Sequence, residues 1–232
     1  MEDESQSTTI VIPGELMDAT GRKKPGPGTY RRDGQIFAKR MGLRSDRADE
    51  VSILPLGGVY DPVSGDLVIG VVIEHGPSNW LTDINGPYPA PLSKNCDTIL
   101  CKILYVDESK KIQVTMNDRN LRKLTGGILL DVEPSRVARI IGKNGSMINL
   151  IKRHTDVWLF VGQNGRIWLN GEPEGIKIAT DAVRKIEREA HIPGLTDRMK
   201  AYLSDRTGRT LSDTDEGTDQ EEDIDIQSGE EE

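Results

Sequence analysis

Apolar and polar residues alternate in short runs over the first half of this chain and adopt a helical period towards its end. Ile10, Val11 and Ile12 followed by Pro13-Gly14 read as a short strand ended by a turn, and residues 24–30 (Lys-Pro-Gly-Pro-Gly-Thr-Tyr) as a rigid, glycine-permissive loop. Residues 35–39 and 50–55 alternate well enough to form two strands of a small β-unit. A glycine-punctuated β-run at 65–73 is followed by a strand at 80–84 and a proline-rich bend at 87–91. Residues 98–106 and 111–116 then make a hairpin about 107–110. Four or five short strands separated by turns predict a small closed β-barrel. Beyond it the pattern changes. Residues 128–133 are a strand, and Pro134 suits the first turn of the helix that follows. A second helix begins after Gly142-Lys143-Asn144-Gly145, and residues 156–161 and 166–170 form a hairpin around Gln163-Asn164-Gly165. Ala179, Ala182, Val183, Ile186 and Ala190 make one buried stripe on a last helix, which Pro193-Gly194 ends. Trp158 and Trp168 are assigned to the core.

With 232 residues the chain has room for two or three small domains, and with 4% aromatics their cores must be built from Ile, Val, Leu and Met. No apolar run approaches the ~20 residues of a membrane span. Met1-Glu-Asp-Glu-Ser has the wrong charge for a signal peptide, so a cytoplasmic protein without a membrane partner is expected. A net charge of −8 argues against nucleic acid until its distribution is considered. Eleven acidic residues and no basic one fall in 213–232, and Glu2, Asp3 and Glu4 add three more. With those fourteen set aside, twenty-four acids face thirty Lys and Arg, so residues 5–212 carry a formal +6. The body is basic, and the acidic tail is too poor in apolar residues to offset the entropy of ordering, hence disordered. Between Arg22 and Arg44 eight basic residues accompany one acid, Asp33, which suits either a solvated surface or a docking face for acidic protein or phosphates.

Catalytic chemistry is not apparent. Cys96 and Cys101 lie five residues apart, on opposite faces of a strand, and read as reduced structural thiols rather than metal ligands. His75, His154 and His191 are scattered, with no nucleophile arrangement around any of them. No cofactor or metal is expected.

The chemistry concentrates at Gly142-Lys143-Asn144-Gly145. Ile140 and Ile141 close the helix before this turn, and Met147, Ile148, Leu150 and Ile151 form the buried side of the one after it. The second helix points free amides and a positive dipole end into the turn, which favours a phosphate, and Lys143 adds a mobile cation. A Gly-X-X-Gly turn between amphipathic helices, with strands on both sides in the order β-α-α-β-β-α, resembles the eukaryotic-type (type I) KH domain, whose loop clamps single-stranded nucleic acid. The central segment, Gly65-Asp66-Leu-Val-Ile-Gly70 with Asp83-Ile84, resembles the OB-fold RNA-binding module named after a ribosomal protein. It departs from that module at Leu81, where a stacking aromatic is usual; Trp80 is one residue earlier and falls either in the core or on a base platform. The connection at 92–97 is also short for such a barrel.

Taken together, residues 9–195 resemble one family, the RNA-binding cap subunit of the archaeal exosome (ribosomal RNA processing protein four type). The matching residues are Val11 to Gly14, Gly28 to Tyr30, Gly65 to Gly70, Asn79-Trp80 with Asp83-Ile84, Arg139 to Gly142, Asn164 to Ile167 and Gly194 to Thr196. The resemblance implies a mainly β plus α+β chain. Its expected parts are a disordered acidic start (1–8), an N-terminal β docking unit (9–60), an OB-fold barrel (61–124), a KH domain (125–196) and an extension with a disordered acidic tail (197–232). It implies a non-enzymatic subunit that captures single-stranded RNA and feeds 3′ ends to a hexameric ring of RNase PH-type subunits, three copies per complex. The ring carries the phosphorolytic 3′→5′ nuclease site. The site residues implied are Gly142, Lys143, Asn144 and Gly145, flanked by Arg136, Arg139, Lys152 and Arg153, for RNA at the KH loop. His75, Asn79 and Trp80 are implied for RNA at the barrel, and Pro13, Gly14, Gly28, Thr29 and Tyr30 for docking on the ring. A free-standing transcription or translation factor with the same two modules is the alternative within the binding class, and a nuclease in its own right the alternative outside it.

Overall fold

A computed structural model of the chain describes residues 9–209 apart from 47–48, 77–79, 93–97, 108, 119–120, 191 and 193. The expected disordered start and the whole acidic tail at 213–232, like Cys96 and His191, lie outside the described residues. The described residues of the N-terminal unit form seven short strands: β1 (Ile10–Val11), β2 (Leu16–Asp18), β3 (Lys24–Pro25), β4 (Thr29–Arg32), β5 (Gln35–Ala38), β6 (Gly42–Asp46) and β7 (Glu50–Pro55). They form two sheets, ordered β1-β6-β7-β3 and β2-β5-β4. Residues 24–30, expected as loop, contribute β3 and the first two residues of β4, because β3 pairs in parallel with distant β7 and β4 with β5. Val11, Met17, Ile36, Ala38, Val51 and Ile53 close a small core between them.

The barrel comprises β8 (Leu67–His75), β9 (Trp80–Asp83), β10 (Ala90–Leu92), β11 (Thr98–Val106) and β12 (Ile112–Thr115), in the order β10-β9-β8-β11-β12. β10 lies against β12, so the barrel is nearly closed. Val68, Ile84, Ile99, Cys101, Ile103 and Val114 fill it. Burial pushes the Cys101 thiol up to about 12, which leaves it unreactive at neutral pH. At the start of β8 the Asp66 carboxylate accepts from the Tyr60 hydroxyl at 2.6 Å, which pins the linker from the N-terminal unit to the barrel rim. Ile69 and Leu100 face out of the barrel and form, with Leu121 and Leu124, a second apolar layer. This explains why β8 reads as a continuous apolar run: both its faces are covered.

The third unit comprises β13 (Ile128–Asp131), α1 (Val137–Ile141), α2 (Ser146–Thr155), β14 (Trp158–Val161), β15 (Arg166–Asn170), α3 (Pro173–Glu189) and α4 (Leu195–Thr207). Its sheet runs β13-β15-β14, antiparallel throughout, with all four helices on one face. The expected stripe on α3 is buried as read, from Ala179 to Ala190. α4 runs through the division drawn at residue 196. Leu195, Met199 and Leu203, each one turn apart, pack into the same core as α2 and α3.

α4 also covers His154, which is 3% exposed and lies 3.2 Å from the Thr207 hydroxyl through its Nδ1. Burial, and then the positive charge of Arg209, hold its pKa below the ordinary value. The folded state therefore favours neutral imidazole. The stability this contributes is fully present above about pH 6.5, the unfolded value, and is lost as pH falls below it. Thermal unfolding followed from pH 7.5 down to 5.5 is expected to show a falling Tm, and His154→Gln is expected to flatten that fall.

Candidate nucleic-acid interface

Helix α1 ends abruptly. Gly142 adopts φ +75°, ψ 175°, Asn144 φ +52°, ψ +32°, and Gly145 φ +77°, ψ +7°. A Cβ on Gly142 would lie 2.8 Å from both the Cβ and the backbone nitrogen of Met147, so only glycine lets α2 start this close to the end of α1. Among the described residues no side chain caps α2; its first amide, the Ser146 N–H, donates to the Lys143 carbonyl, and the positive end of the helix faces the turn. Lys143 and Asn144 are exposed in that turn. Met147 and Ile151 anchor α2 in the core, so the turn is a projecting loop on a rigid base.

The flanking cations are not equivalent. Arg139 donates through Nε to the Ala190 carbonyl at 3.0 Å, capping the end of α3, and Arg136 pairs with Glu133 at 3.5 Å. Lys152 lies 5.8 Å over the Phe160 ring, away from the turn and towards the edge of the sheet. Arg153 is half-buried on the last turn of α2. Of the implied cations, Lys143 is the one that projects from the turn itself.

At the end of the β8–β9 ladder His75 and Trp80 face each other in register, their rings 4.1 Å apart and tilted by 32°. His75 is exposed and Trp80 half-buried, so Trp80 forms part of a rim platform rather than the barrel core. Asn79 lies outside the described residues.

Beside the apolar layer on which Phe160 and Trp168 pack, hydrogen bonds from the β14–β15 turn hold the barrel and the third unit together. Asn164 is fully buried in the wall of the barrel. Its amide donates to the carbonyls of Ile69 and Ile84, both at 2.8 Å, and its Oδ1 accepts from the Ile69 N–H at 3.3 Å. The Gln163 N–H donates to the Leu67 carbonyl at 2.8 Å, and Asn85 donates to the Asn164 carbonyl at 2.9 Å. Arg166 donates to the Asp83 carbonyl at 2.6 Å and pairs with the Asp83 carboxylate. In the sequence this segment reads as a hairpin turn and as one of the segments that carry the family resemblance, with no role in joining the two units. An Asn and an Arg flanking the turn glycine were the available signal, but their partners are 80 to 97 residues away.

In the N-terminal unit, Ile12 to Glu15 form a turn around Pro13-Gly14, closed by the Glu15 N–H on the Ile12 carbonyl at 3.1 Å. Gly28, at φ +79°, is so close to Ile53 that a Cβ would be 2.9 Å from the Ile53 Cβ. The Thr29 hydroxyl donates to the Gly26 carbonyl at 2.7 Å, and Tyr30 stacks on Phe37. Part of the basic bias of this unit is met within it, four of the eight cations sharing two carboxylates. Lys23 and Arg44 share Asp46, Lys39 and Arg40 share Asp61, and Arg31 donates to the Lys23 carbonyl. Beside the exposed Arg22, Lys24, Arg31, Arg32 and Lys39 it presents apolar side chains: Ile10, Ile12, Leu16, Tyr30 and Met41 are all more than a third exposed.

A small β-unit, a nearly closed five-stranded barrel and a β-α-α-β-β-α domain with an open Gly-X-X-Gly loop define a barrel-plus-KH protein, a class built from single-strand grips. Residues 127–175 match the family model described as KH domain, and residues 10–45 the model described as exosome complex exonuclease RRP4 N-terminal region. The exosome complex component Rrp4 of Methanosarcina mazei is 42% identical over 211 residues, which cover 84% of this chain and 81% of that protein. The exosome complex component Rrp4 of Thermoplasma acidophilum is 38% identical over 217 residues, covering 86% and 91%. A crystal structure provisionally described as an exosome complex RNA-binding protein superposes with a TM-score of 0.60 at 30% identity, covering 64% of this chain and 97% of that one. The chain belongs to the Rrp4 family of exosome components.

Proposed function

We propose that this protein is a non-catalytic RNA-binding cap subunit of an archaeal, cytoplasmic exosome, present in three copies on a hexameric ring of RNase PH-type subunits. It captures single-stranded RNA and directs 3′ ends into the ring for phosphorolytic degradation and processing. The observation that carries this reading is the uncapped start of α2 behind Gly142-Lys143-Asn144-Gly145, in one chain with a barrel rim bearing His75 and Trp80. Phosphates bind amides and Lys143, and bases stack at the rim, a combination tolerant of sequence and steep in its salt dependence. The exposed apolar side chains around the Pro13-Gly14 turn suit a protein partner better than RNA, and they form the docking face on the ring. Size-exclusion chromatography of this protein with RNase PH-type ring subunits tests the assignment. Co-elution is expected, with labelled RNA incubated in phosphate and Mg²⁺ shortened by the mixture and left intact by this protein alone. Separate elution, or shortening by this protein alone, would overturn it.

A further inference from the structure

The sheet of the KH domain has a second face, turned away from its helices. Along β14, Leu159 points into the core and Trp158 and Phe160 point out; along β15, Ile167 and Leu169 point in and Trp168 and Asn170 out. Register sets Trp158 opposite Asn170 and Phe160 opposite Trp168. The chain has only three Trp and two Phe, and two of the former and one of the latter meet here instead of in a core. Trp168 is the floor: it packs on the apolar layer over the barrel, and its Nε1 donates to the Gly126 carbonyl at 2.9 Å. Trp158 is the wall, and half of it faces water.

The opposite side is basic. The Leu100 N–H donates to the Arg122 carbonyl, and the Leu124 N–H to the Thr98 carbonyl, both at 2.9 Å, so the linker is fixed along β11. Fixed in that way, the Arg122 guanidinium lies 4.6 Å over the Phe160 ring. The groove between linker and sheet has a volume of about 240 Å³, and its described lining includes Arg122 and Lys123 and no carboxylate. That is smaller than the ~300–1,000 Å³ of sites for whole drug-sized ligands. A flat aromatic wall, two cations and the Asn170 amide at the edge match one unpaired base and its phosphate.

We propose that this groove is a second single-stranded RNA subsite, in which a base stacks on Trp158 and its phosphate meets Arg122 and Lys123. The proposal rests on the RNA-binding function above and adds a grip remote from the Gly-X-X-Gly turn. Fluorescence anisotropy with labelled oligo(A) tests it on the full chain. Trp158→Ala is expected to raise Kd at least about fivefold with the thermal midpoint unchanged, since Trp158 is half-exposed. Arg122→Gln is expected to make log K less steep against log salt by about 0.7. Ultraviolet cross-linking of 4-thiouridine RNA to the unaltered protein is expected to leave adducts on residues 158–160 or 122–125. Unchanged Kd for Trp158→Ala, or no adducts in those segments, would overturn the subsite while leaving the function standing. Loss of ring co-elution with unchanged Kd would assign the patch to protein and overturn it too. Failure of the unaltered chain to bind oligo(A) would instead remove the function on which it rests.

Discussion

Replacing Lys143 and Asn144 together by aspartate is expected to weaken poly(A) binding by roughly ten- to a hundredfold at low salt. The two residues project from a turn whose backbone is fixed by Gly142 and Gly145, so the change alters charge and leaves the fold of the loop in place. Asn144, at φ +52°, occupies the left-handed region that Asp also tolerates, which makes Asp the substitution of least strain there. The local charge changes by three units at the positive end of α2, where a phosphate would otherwise meet amides and an ammonium group. Part of the effect must therefore be electrostatic. Titrations at 50 and 200 mM salt are expected to show a shallower dependence in the variant, by about 0.7 for each phosphate that is no longer neutralised. Poly(A) affinity that survives the double change would remove the Gly-X-X-Gly turn from the RNA path.

That turn was legible from sequence because everything that shapes it is local: two glycines, a helix start and apolar positions one turn apart. The α3 stripe and the β11–β12 hairpin were legible for the same reason, since a single period runs through each. The N-terminal unit was less so. β1 and β3 are two residues each, and β2 carries a register irregularity against β5, so no period has room to show. Its basic bias is also tempered by contacts that only the fold creates. Asp46, just beyond the basic stretch in sequence but close in space, takes up Lys23 and Arg44, and Asp61 takes up Lys39 and Arg40. Trp158 and Trp168 were expected in the core on composition alone. The alternation of Trp158 and Phe160 against Leu159 would have placed them outside, but β14 is apolar on both faces, and only the packing of the barrel decides which face is which.

Asn164→Ala is expected to destabilise the chain by about 3–5 kcal/mol, the largest effect of any single change considered. The side chain is fully buried and makes three hydrogen bonds, all to barrel backbone. Truncation leaves the Ile69 and Ile84 carbonyls and the Ile69 N–H facing an apolar methyl, with each unpaired buried group costing ~1–3 kcal/mol. Some relief comes from Arg166, which already approaches the Ile69 carbonyl at 3.5 Å and keeps its own hold on Asp83. The more specific expectation is the form of the melting curve. Barrel and KH domain have separate cores, and residues 163–166 supply the hydrogen bonds that cross between them at this turn. Weakening that joint should split one calorimetric transition into two. RNA binding should respond in a length-dependent way, because two grips held at a fixed separation act on one strand with a high effective concentration. An oligonucleotide long enough to span both should lose affinity for the variant, and one that reaches a single grip should not. A single transition at the wild-type Tm, or equal losses for both lengths, would show that the Asn164 joint does not set the spacing between the two RNA-binding modules.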